Sequence, residues 1–106
     1  MPIFIGISRH SPESCPITNE KERKFAMEAA AKTEELTKKY GIKMLGSYTV
    51  MPEHALYLIM EAPSADAMMR CMNEPFMLLF FAHNMNELKF AMTLEESMKM
   101  LTQIPG

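Results

Sequence analysis

An α+β fold, with a four-stranded antiparallel sheet and helices on one face, is what this sequence predicts. Three observations predict it. Runs with period-two apolar alternation recur near residues 3–9, 42–51, 55–61 and 87–93. A long segment at 19–40 carries apolar residues every three or four positions. Two of the strand-like runs are joined only by Pro52-Glu53 and His54, which makes them a hairpin.

In the first strand, Ile3, Ile5 and Ile7 fall on one face and Phe4, Gly6 and Ser8 on the other. Residues 11–18 form a loop, because Pro12 and Pro16 bias Ser11 and Cys15 away from helix. The helix that follows opens on Asn19 with Glu22 three residues on, a capping-box spacing. Its buried stripe is expected to be Phe25, Ala29, Thr33, Leu36 and Tyr40. Its charged face offers the pairs Glu28–Lys32 and Glu35–Lys39. Gly41 suits the position just past the helix end.

After the hairpin, Ser64 caps a second helix and Asp66 suits its first turn. Pro75 ends or kinks that helix near Glu74, and Phe76–Phe81 reads as further buried helix, with a strand as the alternative. A polar loop at 83–86 leads to the last strand, where Leu88, Phe90 and Met92 share a face. Thr93 with Glu96 caps a short terminal helix at 94–101. The order βαββαβ plus a small helix is the ferredoxin-like arrangement, here as a single domain over residues 1–106.

Both faces of the sheet carry apolar residues. Tyr57 and Ile59 alternate with Leu56, Leu58 and Met60, as Phe4 and Gly6 do with the isoleucines. Two helices cover one face, and a second copy of the sheet is the simplest cover for the other. A homodimer is therefore expected. The segment 46–68, GSYTVMPEHALYLIMEAPSADAM, resembles the small GYD-domain family and related families of the dimeric α/β-barrel superfamily. The shared pattern is a Gly-x-Tyr strand, a tight turn, an apolar strand ending in Glu-Ala and a capped helix. The turn departs from the family's Gly-Tyr-Asp, with Pro52-Glu53-His54 in its place. The resemblance implies a sheet-on-sheet dimer enclosing a pocket. The superfamily includes cofactor-free monooxygenases, haem-degrading enzymes, stress proteins and regulatory ligand-binding domains, and fold alone does not choose among them.

The bulk numbers exclude several classes. A net charge of −2 with interspersed signs and no basic stripe argues against nucleic acid as a partner. The longest apolar run, Phe76–Ala82, is too short to span a membrane. Two cysteines do not make a secreted disulfide scaffold, and with no basic leader at Met1 a cytoplasmic location with reduced thiols is expected. The chain is methionine-rich, with 13 residues, and most are expected to fill the core.

The topology sends His10, His54, His83 and Cys15 to one end of the sheet. Three imidazoles with an open position describe a Zn or Fe site, and the Cys15 thiolate would add a fourth ligand and favour Zn or Cu. Glu53 stands beside them as a candidate base. One histidine could instead ligate haem in the barrel pocket. Tyr48, Glu53 and Tyr57 are the candidate ligand-pocket residues. Met68, Cys71 and Met72 share a helical face and read as core, with Cu(I) binding as the alternative. Arg9 and Arg70 could anchor an anion. The leading reading is a homodimeric protein that binds a small ligand, a metal or haem at the histidine end, with oxidative chemistry by analogy. The alternatives are a non-catalytic sensor or regulatory module, and a structural protein docking through Met77 and Met98–Met100.

Overall fold

The computed structural model describes residues 1–106. Strand β1 (Ile3–Arg9) is followed by a short 3-10 turn, helix α1 (Glu20–Lys39), the hairpin strands β2 (Lys43–Val50) and β3 (Ala55–Glu61), helices α2 (Ala65–Met72) and α3 (Pro75–His83), strand β4 (Met85–Ala91) and helix α4 (Leu94–Thr102). The sheet order is β2-β3-β1-β4, antiparallel throughout. This is the expected ferredoxin-like α+β topology.

The helix ends form as their residues dictate. Asn19, Ser64 and Thr93 each accept a hydrogen bond from the backbone N–H three residues on. Gly41 ends α1 with φ of 71°, and a Cβ there would lie 3.2 Å from Pro63 Cγ. Gly41→Ala should cost roughly 1–2 kcal/mol from the left-handed backbone alone, read as a lowered urea midpoint at unchanged slope. Pro75 does break the second helix, into α2 and α3, because it cannot donate to the helix ladder.

The core sits between the helices and one sheet face. Phe4, Leu36, Ile42, Met60, Ala62, Met68, Cys71 and Met77 form it. Met68 and Cys71 are fully buried there, as the core reading of that helical face requires. Of the expected α1 stripe, Ala29 and Leu36 are buried, while Phe25, Thr33 and Tyr40 are half-buried and Thr37 is buried instead. The expected ion pairs rearrange. Lys32 meets Glu35, Lys38 meets Glu34, and Lys39 reaches across to Glu74. The reason is tertiary: Glu74 opens α3 beside the end of α1, where it also accepts from the Tyr40 hydroxyl.

Those two donors hold the Glu74 carboxyl below its ordinary value, Tyr40 contributing most. The unfolded chain therefore takes up this proton first as pH falls. The stability Glu74 supplies is complete above about pH 4.5 and is lost as pH falls from there through its depressed folded value. Glu74→Gln should flatten the acid limb of a stability-versus-pH curve. An unchanged limb would show that the contact does not persist in solution.

Strand β4 lies two residues earlier than the alternation suggests, at 85–91 rather than 87–93. Its register with β1 runs from Arg9↔Met85 to Ile3↔Ala91, so pairing length sets its ends. The shift of two preserves the faces. Leu88 and Phe90 stay on the helix side, opposite Gly6 and Phe4, yet both are exposed.

The chain is extended for its size. Its accessible surface is 7289 Å², whereas a monomer of 12.1 kDa exposes about 6,000 Å². Its radius of gyration is 15.9 Å against about 13 Å for a compact chain of this length. Helix α4 buries none of its residues, and Leu94, Met98 and Leu101 line one exposed side of it. Methionine follows the same pattern. Met60, Met68 and Met77 are core, but eight of the thirteen are exposed, against the expectation that most fill the core. No helix is long and apolar enough to cross a membrane.

Candidate functional site

Two features carry chemistry: a cluster of side chains at the His10 end of the sheet and an apolar groove on the open sheet face. The cluster is built by three chain reversals. β1 ends at Arg9, and the His10 N–H donates to the His54 carbonyl at 3.1 Å, tying the two residues together beyond the paired strands. His54 itself ends the Met51–Glu53 turn in the left-handed conformation, φ 51° and ψ 43°, a region that histidine tolerates better than most residues. Cys15 ends the Pro12–Ser14 turn, its N–H bonded to Pro12 and its carbonyl accepting from Asn19 N–H. These short turns bring the Cys15 Sγ and one nitrogen each of His10 and His54 within 4.8 Å of one another.

The His10 and His54 rings stand edge to face, 5.2 Å between centroids. The His10 Nε2 is buried and has no hydrogen-bond partner. Burial, reinforced by the His54 charge, lowers the His10 pKa, with Glu22 opposing. Both influences favour the neutral imidazole, the form that binds metals. Cys15 is buried and a free thiol.

His83 is at the same end of the sheet but outside this cluster. Its ring stacks on Phe25 at 4.2 Å, and its Nδ1–H donates to the Leu79 carbonyl at 3.1 Å. A three-histidine set is therefore not what these turns assemble. The expected order of strand ends is met, but β4 and β3 flank β1 on opposite sides, and that separates His83 from His54.

The groove lies on the sheet face away from the helices. Ile5, Ile7, Tyr48, Val50, Tyr57, Ile59 and Lys89 line about 460 Å³. Directly paired residues share a face, so Tyr48↔Tyr57 and Ile7↔Tyr57 place both tyrosines here. Gly46 explains the Gly-x-Tyr pattern. A Cβ on it would stand 2.8 Å from the Tyr48 ring, which lies across the bare backbone. Tyr57 donates its hydroxyl proton to Glu53 at 2.7 Å, and that bond raises the phenol's pKa. Arg9 is neutralised by Glu87 at 2.9 Å and Arg70 by Asp66, so neither stands free for an anion.

No histidine lines the groove, so it presents no axial imidazole for haem. His10 continues the Phe4–Gly6–Ser8 side of β1, and Cys15 leads into α1 on that same side. The cluster and the groove thus lie on opposite sides of the strand plane. Alternation in the sequence already put Ile5, Ile7, Tyr57 and Ile59 on the face away from the helices; that the cluster lies on the other side is set by the turns.

No protein-family model and no curated protein sequence matches the chain. Among solved structures, that of an antibiotic biosynthesis monooxygenase is similar, with a TM-score of 0.58 at 16% identity. The match covers 88% of this chain and 98% of the other. At that identity it establishes a shared fold.

Proposed function

We propose that the chain is a homodimeric small-ligand-binding protein of the dimeric α/β-barrel type, related to the GYD-domain proteins its 46–68 segment resembles. The two sheets face each other and turn the open groove into an enclosed pocket. The observation that carries this is the surplus surface. The chain exposes about 1,300 Å² more than a compact monomer of its mass, and a standard interface takes about 800 Å² from each partner. The apolar groove and the exposed Leu94, Met98 and Leu101 side of α4 are the surfaces we assign to the interface.

The groove's volume falls within the range of small-molecule sites. Its walls suit a flat apolar body. At the rim Glu53 and the Tyr57 oxygen offer acceptors and Lys89 a donor, which suits a ligand bearing a hydroxyl or amino group. The structural neighbour is named as a monooxygenase, and we carry over the reaction class alone: oxidation of the molecule held in the pocket by O2, one oxygen atom entering that molecule and the other leaving as water with two of its hydrogens. Two reduced thiols fit a cytoplasmic setting.

Light scattering on the full chain tests the dimer, which should have twice the 12.1 kDa chain mass. Removing residues 94–106 should return it to the single-chain mass. Calorimetric titration with 2-naphthol tests the pocket. Binding should weaken about fivefold in Tyr57→Phe, the worth of one ordinary hydrogen bond. A single-chain mass for the intact protein, or no heat with naphthol, overturns the corresponding half of the reading.

A further inference from the structure

We infer that His10, Cys15 and His54 form a three-ligand site for Zn²⁺, separate from the sheet groove. Three observations on different parts of the chain meet here. The ligand atoms of all three residues lie within 4.8 Å of one another. The His10 Nε2 is sealed from solvent with no partner, an orphan that an ordinary core histidine would have satisfied. The backbone bond from His10 N–H to the His54 carbonyl, and the turn that holds His54 left-handed, fix two of the three ligands from adjacent strand ends. Such fixing of ligand positions by the main chain is what a metal site requires before the ion arrives.

The donor set selects the metal. Two imidazoles and one thiolate are borderline-soft, which disfavours Mg²⁺ and Ca²⁺ and suits Zn²⁺. Zinc has no d-electron preference for geometry and accepts an irregular trio. On a tetrahedral zinc, nitrogen and sulfur ligands stand about 3.3–3.6 Å apart. The side chains therefore close by about 1 Å, within reach of small χ rotations at His54 and Cys15. Binding releases the Cys15 thiol proton to solvent and forms one Zn–S and two Zn–N bonds. The fourth position is left to water, the pattern of three protein ligands plus solvent that accompanies Lewis-acid zinc.

The test is a Co²⁺ titration of the metal-free full chain, followed by Zn²⁺ competition. One Co²⁺ per chain is expected, with a thiolate-to-metal charge-transfer band that Zn²⁺ abolishes. Cys15→Ser should remove the band and weaken Zn²⁺ by at least about 100-fold, beyond the roughly 10–100-fold that losing a supporting partner costs. Because Cys15 is buried, His54→Asn is the second variant. Asparagine tolerates the left-handed turn, so the fold is kept, and Zn²⁺ should again weaken at least tenfold. His83→Ala should bind as the parent does. Absence of the charge-transfer band, Zn²⁺ affinity unchanged in His54→Asn, or loss of binding in His83→Ala would each overturn the assignment. Binding of Cu⁺ with no uptake of Co²⁺ or Zn²⁺ would overturn the choice of metal. Tyr57→Phe, which bears on the groove, should leave the zinc titration untouched, so the two readings fail separately.

Discussion

Zinc at a free concentration one hundred times its dissociation constant should raise the thermal midpoint by roughly 10–20 °C. The arithmetic is linkage. A ligand that binds the folded chain alone adds about 2.7 kcal/mol at that excess, and a domain near this size gains about 4–8 °C per kcal/mol. The effect is large because the three ligands come from separate turns after β1, before α1 and before β3. His10 and Cys15 are close in sequence, but His54 is brought to them only by folding, so the unfolded chain offers at most two of the three ligands. Cys15→Ser should lose nearly the whole increment, and a chelator should reverse it in the parent. Thermal melts with and without zinc, on both proteins, check this. Equal shifts in parent and Cys15→Ser would mean the ion stabilises from elsewhere.

Ile5→Asp should convert the dimer to a folded single chain. Ile5 lines the groove at the middle of the open sheet face, which the proposed dimer encloses. Burying a carboxylate there, with Lys89 beside it, carries a desolvation penalty of several kcal/mol that the pair does not recover, and about 3 kcal/mol is a weakening of more than 100-fold in association. In the separate chain the same substitution is mild. Ile5 pairs directly with Lys89 across β1 and β4, and a cross-strand charge pair on a wet sheet is favourable by about 0.2–1 kcal/mol. Light scattering should therefore report 12.1 kDa while far-UV circular dichroism stays that of the parent. A dimer that survives Ile5→Asp would place the contact on other surfaces, with the exposed helix-side Leu88 and Phe90 next in line.

The fold was legible in the sequence because its signals are local. Alternation at 3–9 and 55–61, the caps at Asn19, Ser64 and Thr93, and the stops at Gly41 and Pro75 each act within a few residues, and the structure keeps every one. Chain order then places the ends of β1 and β3 together, so the nearness of His10 and His54 was readable too. Three matters were decided by tertiary packing. The ends of β4 were set by its partner strand, and alternation is blind to a shift of two. The ion pairs of α1 were redirected when Glu74 arrived from another helix, which spacing along one helix does not register. His83 was drawn onto Phe25 and away from the cluster, because sharing an end of a sheet fixes height along the strands but not position across them. The sequence by itself determined the elements, their order and which residues face each side. Only the folded chain decided which of those residues touch, since contact depends on distances summed over the whole path of the chain.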